Sequence, residues 1–372
     1  MIKTYIPFFR KKDGDILKKC LRTNFVSTVG PLVKKFEDTF SQKYNFKYSI
    51  ALNSGTSALQ LGLKAIGVEK NDIVILPSYT FAATANAVIY NNATPWLFDC
   101  DTNFDISLSQ IEEVLKNEAH FKKKKLILNK NGAIIKALVP VSAFGKKLDF
   151  SKLLNFAEKY KLKILFDTAA CHDPNIFDFK KNKKMHFCFS FNGNKTLTTG
   201  AGGMLSTDSE YVASKIRVLS NVGKNKNYNY KMVGYNYRMT NIQAALGLAQ
   251  LDNIKNILKI KKKIFYIYYF SLFKFKNIKL IYDKKNVNWL FALTISSAKK
   301  FKIINNLFKK NNIEFNNFWK PLHLQKIYKK YQVKKKMLVN SIWKKVIVLP
   351  SHPGLKKVDQ NKIIKILLNN LK

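Results

Sequence analysis

Lys195 differs from most lysines of this sequence in its neighbours. It follows the short aromatic stretch HFCFSF and precedes TLTTGAGG, a run of small residues, whereas most other lysines stand in charge clusters such as FKKKKL. Small neighbours let a ligand approach the chain closely, and a lysine amine held beside a carbonyl compound can form a Schiff base. Lys195 is therefore a candidate catalytic residue.

Asp167 is the second residue whose position suggests chemistry. It ends the apolar stretch ILFD, and a carboxylate at the end of a buried strand is costly unless a cation or hydrogen-bond donors face it. The protonated ring nitrogen of a ligand is one such partner. The alternative is that Asp167 caps the helix that follows. Asp167 is thus a candidate catalytic residue, with the capping interpretation left open.

The stretch NSGTSAL lies between a predicted strand and a predicted helix. The N–H groups of Gly55, Thr56 and Ser57 would point out of the helix start, with two hydroxyl groups beside them. Such an arrangement suits a phosphate group, to which the Ser190 hydroxyl could add a hydrogen bond. An ordinary Ser/Thr helix cap is the alternative.

Two aromatic residues stand in the loop that follows another predicted strand, in PSYTFAATANAV. A flat side chain at this place, Tyr79 or Phe81, can stack on a planar ring. Packing in the hydrophobic core is the alternative for both residues.

Together these residues supply a phosphate cradle, a stacking aromatic ring, a carboxylate for a ring nitrogen and a lysine for a Schiff base. Pyridoxal 5'-phosphate (PLP) requires these groups, because the lysine holds its aldehyde and the carboxylate keeps its ring protonated as an electron acceptor. Each signal alone is weak, but their joint occurrence predicts PLP as the cofactor. No residue is assigned to a metal.

The elements that position these residues are predicted to be strands alternating with helices. Stretches such as DIVILP and KILFD are apolar and short, which is typical of strands buried on both faces of a sheet. The alternation predicts an α/β fold whose ligands lie at the carboxyl ends of the strands. We expect a large domain over residues 1–255, with an N-terminal helical segment, and a smaller α+β domain over 256–372.

The net charge of +43 favours either a polyanionic partner or a lysine-rich solvated surface. The basic residues are mostly lysine, are spread along the chain, and accompany many Asn, Ile, Phe and Tyr residues, as biased codon usage would produce. We therefore expect no nucleic-acid partner. A small anionic substrate would still be attracted by such a surface.

The cysteines show no CxxC spacing and are expected to be free, buried thiols of a reducing compartment. No apolar run approaches the roughly 20 residues that a membrane-spanning helix needs, and the N-terminal stretch has no signal-peptide core. The sequence predicts a cytoplasmic protein without a membrane partner.

With these motifs in place, the sequence resembles the DegT/DnrJ/StrS family of sugar aminotransferases over nearly its whole length. The resemblance rests on NSGTSAL, PSYTFAATANAV, FDTAA, SFNGNKTLTTGAGG, GYNYRMTNIQAA, WKPLHLQ and LPSHPG. SFNGNK and NFVSTVG are most similar to the branch that aminates 4-keto sugar nucleotides for legionaminic-acid and bacillosamine-type sugars. The resemblance implies an aminotransferase of fold type I, with a mainly parallel, seven-stranded-type sheet. It also implies a homodimer with active sites shared between subunits.

The resemblance also implies roles for individual residues. Lys195 would hold the cofactor and move the proton, and Asp167 would pair with its ring nitrogen. Phe81 would cover the ring face, and Asn236 would reach the partner subunit's cofactor. His323 and Arg238 would contact the substrate. The phosphate would be held by four residues: Gly55, Thr56, Ser57 and Ser190.

One position departs from the family. Ala170 stands where members usually carry Gln, His or Glu near the cofactor's ring hydroxyl, so either a neighbour such as Cys171 or His172 supplies that contact or it is lost. The expected reaction moves an amino group from an amino acid, L-glutamate, to a nucleotide-linked keto sugar. A PLP-dependent dehydratase or aromatising relative, and a basic regulatory or nucleic-acid-binding protein on the same fold, are the alternatives.

Overall fold

A computed structural model describes residues 1–224, 228–282, 284–315, 318–331 and 337–371 of the 372-residue chain. Its helices are α1 (Lys11–Arg22), α2 (Pro31–Tyr44), α3 (Gly55–Ala65), α4 (Ala82–Ile89), α5 (Leu108–Glu118), α6 (Phe150–Lys159), α7 (Glu210–Ser220), α8 (Asn241–Leu272), α9 (Ala298–Lys310), α10 (Val339–Ile342) and α11 (Lys357–Leu371). Its strands are β1 (Tyr48–Leu52), β2 (Ile73–Pro77), β3 (Thr94–Phe98), β4 (Ala119–Lys122), β5 (Lys125–Leu128), β6 (Ile135–Leu138), β7 (Lys163–Ile164), β8 (Phe166–Asp167), β9 (His186–Ser190), β10 (Gly203–Thr207), β11 (Ile278–Ile281), β12 (Phe291–Ile295) and β13 (Val346–Leu349).

The central sheet has the order β3-β2-β6-β7/β8-β9-β10-β1. Strands β7 and β8 are two pieces of one strand, because the N–H groups of Leu165 and Asp167 donate to the main-chain oxygens of Leu138 and Pro140. All neighbours run parallel except β10, which is antiparallel to both β9 and β1. The predicted α/β fold with a mainly parallel, seven-stranded sheet is confirmed.

Strand β2 shows why the sheet is covered on both faces. Ile73 and Ile75 pack into one hydrophobic cluster, while Val74 and Leu76 pack into the cluster on the opposite face. Side chains alternate along a strand, so an unbroken apolar run requires a layer of helices on each side. Burying one such side chain contributes about 1.5–3 kcal/mol.

The C-terminal part is a three-stranded antiparallel sheet, β11-β12-β13, beside which α9 packs against α11. The predicted boundary near residue 255 falls inside α8, a continuous helix of 32 residues. In addition, Ile2 forms a β-bridge with Ile313, so the first residues lie against the C-terminal part. We propose that α8 belongs to both domains and joins them, in place of a boundary at 255.

All four cysteines are buried and none forms a disulfide. Across the described ranges, no helix has both the length and the apolar character needed to cross a bilayer. Within the same ranges, no group of three His, Cys, Asp or Glu side chains is arranged to hold a metal ion.

Candidate active site

A cavity of about 320 Å³ lies where the carboxyl ends of β8 and β9 meet the starts of α3 and α4. This is the edge of the sheet at which open α/β folds bind their ligands. Six of the predicted site residues line the cavity: Gly55, Thr56, Phe81, Asp167, Ser190 and Lys195. Four predicted site residues do not line it: Ser57, Asn236, Arg238 and His323.

The start of α3 forms one end of the cavity. The Ser57 N–H donates to Ser54 Oγ at 3.0 Å, and the Ala58 N–H donates to the Ser54 main-chain oxygen at 3.1 Å. The N–H groups of Gly55 and Thr56, which belong to the first turn, have no partner within the helix. These two amides, with the Thr56 side chain and Ser190, are therefore the groups available to an anion at this end.

Ser57 was predicted to contact the phosphate, but its side chain serves the helix cap instead. Its hydroxyl donates to Asn53 Oδ1 at 2.7 Å and lies 2.8 Å from Ser54 Oγ. Ser57 is buried, and Ser54 takes its place on the cavity wall. The capping interpretation thus holds for this part of the motif.

Asp167 is buried at the cavity wall and accepts two hydrogen bonds. Thr84 Oγ1 donates to Asp167 Oδ2 at 2.7 Å, and the Ala169 N–H donates to Oδ1 at 3.1 Å. Burial raises the pKa of Asp167, while these two donors and the Lys195 amine act in the opposite direction. A cationic group in the cavity would hold the carboxylate in its charged form.

Thr84 belongs to a short hydrogen-bonded chain that the sequence analysis missed. Because Thr84 donates its only hydroxyl hydrogen to Asp167, it accepts from Thr80 Oγ1, which lies 2.8 Å away. Both threonines are buried. They stand four residues apart within PSYTFAATANAV, Thr80 just before α4 and Thr84 in its first turn, so their spacing was a usable signal.

Lys195 extends into the cavity beside an aromatic wall. Its Nζ atom lies 3.8 Å from the centre of the Trp289 indole ring. Burial lowers the pKa of Lys195 to about 8, although the negative charge of Asp167 and the Cys171 thiol favour the protonated form. The Tyr5 hydroxyl donates to the Lys195 main-chain oxygen at 2.7 Å, which fixes the backbone from which the side chain extends.

The model of the DegT/DnrJ/EryC1/StrS aminotransferase family matches residues 9–368 of this chain. The chain belongs to this family. GDP-perosamine synthase of Caulobacter vibrioides is 30% identical over 378 residues, which cover 98% of this chain and 97% of that protein. The UDP-4-amino-4,6-dideoxy-N-acetyl-beta-L-altrosamine transaminase of Campylobacter jejuni is 31% identical over 284 residues, covering 72% of this chain and 71% of that protein. A family aminotransferase from Brucella abortus has a crystal structure of the same fold, with a TM-score of 0.85, 26% identity, and coverage of 96% of this chain and 95% of that one.

As a DegT/DnrJ/EryC1/StrS aminotransferase, the chain is a PLP-dependent enzyme. This confirms the predicted enzyme class and cofactor. The cavity of this family member fits the cofactor chemically: it offers amide donors for a phosphate, a buried carboxylate for a ring nitrogen, and an amine of lowered pKa for an aldehyde.

The two aromatic candidates, Phe81 and Tyr79, have different surroundings. Phe81 immediately precedes α4 and is 60% exposed at the cavity rim, where it can cover a ring. Tyr79 is completely buried, and its hydroxyl donates to the Phe318 main-chain oxygen at 2.7 Å. The core-packing alternative therefore holds for Tyr79.

At the position where this chain departs from the family, neither Cys171 nor His172 lines the cavity. Ala170 itself lines it. His172 Nε2–H donates to the Ser190 main-chain oxygen at 2.9 Å, and burial lowers the pKa of this ring to about 3, so it is neutral at pH 7. Cys171 Sγ lies 2.9 Å from Ser142 Oγ. Cys171 and His172 therefore lie outside the cavity and contact residues of its wall. Ser142 is a polar residue that lines the cavity itself.

The substrate-side predictions for His323 and Arg238 do not match the cavity. His323 is buried, with Nδ1 2.5 Å from Ser78 Oγ and Nε2 2.6 Å from Asn340 Oδ1, so both ring nitrogens have structural partners. Arg238 donates to Thr28 Oγ1 at 2.7 Å. Asn236 is exposed and forms a β-bridge with Asn221, which leaves its side chain outside the cavity of its own chain.

Gly55→Ala should weaken PLP binding about tenfold or more. A Cβ atom at residue 55 would lie 2.7 Å from Ser190 Cβ, so Ser190 must move and the phosphate end of the cavity opens. Fluorescence titration of the cofactor-free protein measures the affinity. Gly14→Ala is the control, because no atom lies within 4 Å of its Cβ position and affinity should not change. Unchanged affinity in both variants would contradict the assignment of Gly55 and Ser190 to the phosphate site.

Thr84→Val should lower kcat about tenfold to a hundredfold, since it removes a hydrogen bond to a charged carboxylate. Steady-state kinetics, with PLP absorbance confirming occupancy, would show the loss. Thr39→Val removes a hydroxyl that donates within its own helix, to the Lys35 main-chain oxygen, and should leave kcat unaltered. A Thr84→Val enzyme as active as Thr39→Val would argue against the Thr84–Asp167 contact as a functional one.

The rate at which cofactor-free protein captures PLP should rise with pH through a midpoint of about 8, then level off. Only the neutral amine attacks the aldehyde, and burial makes the neutral form of Lys195 available well below the ordinary lysine pKa of about 10.4. Stopped-flow absorbance at a series of pH values measures this midpoint. A midpoint near 10 would show that the amine is solvated.

Proposed function

We propose that this aminotransferase moves the amino group of an amino acid, L-glutamate, to the keto group of a nucleotide-linked sugar, a 4-keto-6-deoxy hexose. The observation that carries the proposal is the meeting of Lys195, Asp167 and the start of α3 on one cavity. That constellation supports amino transfer, because the same lysine amine can bind the cofactor and then move a proton once it is displaced.

Different residues of the chain hold different parts of the cofactor in this proposal. When bound, PLP supplies an aldehyde carbon that accepts the amine and a ring that accepts electrons. The Gly55 and Thr56 amides and the Ser190 hydroxyl hold the phosphate, and Phe81 covers the ring. Asp167 holds a proton on the ring nitrogen.

Lys195 is the proton carrier in this proposal. Its Nζ atom takes the proton from the α-carbon of the amino acid and returns it on the cofactor side. The pKa of about 8 suits a group that must both accept and release a proton near neutral pH. In the second half of the cycle, the same atom moves the proton in the reverse direction, toward the sugar carbon that gains the amine.

The nature of the acceptor is supported by the names of the two relatives. One is a GDP-perosamine synthase, and the other is a transaminase of a UDP-linked 4-amino-4,6-dideoxy sugar. A 4-amino-4,6-dideoxy sugar is what a 4-keto-6-deoxy sugar becomes on gaining an amine. A basic chain of net charge +43 would also attract an acceptor that carries a diphosphate.

We further propose that two copies share their active sites, with Asn236 acting at the partner's cavity. The exposure of Asn236 and its place outside its own cavity support this. Mixing Lys195→Ala and Asn236→Ala proteins tests it, because a mixed dimer contains one intact site only if Asn236 acts across the interface. Activity should reappear on mixing, and no recovery would place Asn236 elsewhere.

The decisive experiment has two stages. Borohydride should fix the cofactor on Lys195, as peptide mass spectrometry would show, and L-glutamate should convert the visible band to that of the pyridoxamine form. The converted protein is then given GDP- and UDP-linked 4-keto-6-deoxy sugars. A product that gains an amine supports the proposal, whereas loss of water would favour a dehydratase. Salt-sensitive DNA binding without any visible band would favour the nucleic-acid alternative.

A further inference from the structure

Trp289 places its aromatic ring against the reactive amine of Lys195. The Lys195 Nζ atom lies 3.8 Å from the centre of the indole ring, well inside the range of about 6 Å in which a ring attracts a cation. Trp289 is 3% exposed and lines the same cavity as Lys195. The contact is therefore shielded from bulk water, and the attraction between a cation and a ring is stronger without water than at an exposed site.

Trp289 is held in place by two hydrogen bonds, one at its indole ring and one at its backbone. Its Nε1–H donates to the Asn194 main-chain oxygen at 2.6 Å, in the residue next to Lys195. The Trp289 main-chain oxygen accepts from Lys261 Nζ at 2.9 Å. One hydrogen bond ties the ring to the loop that carries the reactive lysine, and the other ties its backbone to α8.

Lys261 is an unusual anchor because it is completely buried. Its amino group donates to the main-chain oxygens of Trp289 and Ser351, at 2.9 and 3.0 Å, and the rings of Tyr5 and Phe265 lie 5.5 and 5.1 Å from it. None of the ion pairs of the described residues includes it. A buried amine without a carboxylate is costly, so its two carbonyl contacts are the features that account for its place.

We propose that Trp289 is a further catalytic residue, whose ring face stabilises the protonated amine of Lys195, and that Lys261 positions it. The proposal rests on the assignment of Lys195 as the proton carrier. Each time Lys195 takes up a proton, the cavity must hold an ammonium group away from water. Asp167 supplies the negative charge on one side, and the indole face supplies the electron-rich surface on another.

Stepwise fluorination of Trp289 tests the contact without changing its shape. Fluorine atoms withdraw electrons from the ring face, so each one weakens its attraction for a cation. Tryptophan with one to three fluorines is introduced at residue 289 alone, in the full chain freed of cofactor. Acetylation of Lys195 by acetic anhydride, followed across pH by peptide mass spectrometry, then reports the pKa of this amine. Exposed lysines of the same sample serve as internal references.

The pKa of Lys195 should fall step by step with fluorine number, by about half a unit in total. The other titratable groups near the amine, Asp167, Cys171 and His172, are unchanged in the series. Fluorination of Trp343, outside the cavity, is the control and should leave the pKa of Lys195 constant. A pKa that does not fall would overturn the role of Trp289. Since the measurement needs no PLP, that result is distinct from a failure of PLP to bind Lys195.

Lys261→Met tests the positioning role, with Lys262→Met, at an exposed neighbour, as the control. Without the anchor, the ring should leave the amine, so the dependence of the pKa on fluorine number should drop at least twofold in Lys261→Met and persist in Lys262→Met. Lys261→Gln replaces Met if the first variant does not fold, because its side chain is one atom shorter and its donor falls short of the Trp289 main-chain oxygen. An undiminished dependence in the folded variant would overturn the role of Lys261.

Discussion

Lys195→Ala should reduce amino transfer by about 10⁴-fold or more, because it removes both the amine that binds the cofactor and the base that moves the proton. Cofactor added to this variant should be removed by dialysis and should not be fixed by borohydride. Single-turnover absorbance with glutamate, together with mass spectrometry of the reduced protein, measures both effects.

Two further variants make the Lys195 result specific. Lys195→Arg keeps a positive charge that cannot be deprotonated, so it should be as inactive as the alanine variant. Lys183→Ala changes an exposed lysine that is not part of the cavity wall and should behave as wild type. Activity of Lys195→Ala within a hundredfold of wild type would contradict the assignment of the catalytic lysine.

Asp167→Asn should lower kcat about 10²–10³-fold while the fold is preserved. Asparagine has nearly the same shape and can still accept from Thr84, but it carries no charge to hold a proton on the ring nitrogen. Stopped-flow absorbance of the glutamate half-reaction measures the loss, and the PLP content of the purified protein shows whether binding survives.

Asp173→Asn is the matched control for a buried carboxylate. Asp173 accepts from the N–H groups of Val287 and Asn175 and does not line the cavity. Its replacement should lower thermal stability but leave the rate of the half-reaction within about threefold of wild type. Equal rate losses in Asp167→Asn and Asp173→Asn would mean that Asp167 acts only on stability.

Local patterns predicted much of the fold. Apolar runs such as that of β2 require burial on both faces. The alternation of such strands with helices therefore predicts an α/β sheet covered by helices on both sides. The antiparallel direction of β10 is a feature that the structure adds to this pattern. The predicted boundary near residue 255 falls inside the continuous helix α8, because no break in composition marks a boundary within a single helix.

The site was predictable where one residue and its immediate neighbours decide the geometry. Asp167 ends β8, and Gly55 and Lys195 follow β1 and β9, which end at the same edge of the sheet, so strand order brings the three residues together. For Ser57 and Tyr79 the sequence left two alternatives each, because a hydroxyl near a helix start and an aromatic ring after a strand each have two good solutions. The choice between them depends on partners, Asn53 and the Phe318 backbone, that a local pattern does not specify.

By itself, the sequence predicted the cofactor, which the family confirms, and it proposed Lys195 and Asp167 as the two residues that act on it, because few other uses exist for such residues at the ends of buried strands. The tertiary structure decided which groups surround that chemistry. Trp289 lies far from Lys195 along the chain and Lys261 lies on α8, yet the Trp289 ring contacts the reactive amine and Lys261 holds the Trp289 backbone. Long-range packing brings such residues together, and no periodicity or spacing within a short segment records it.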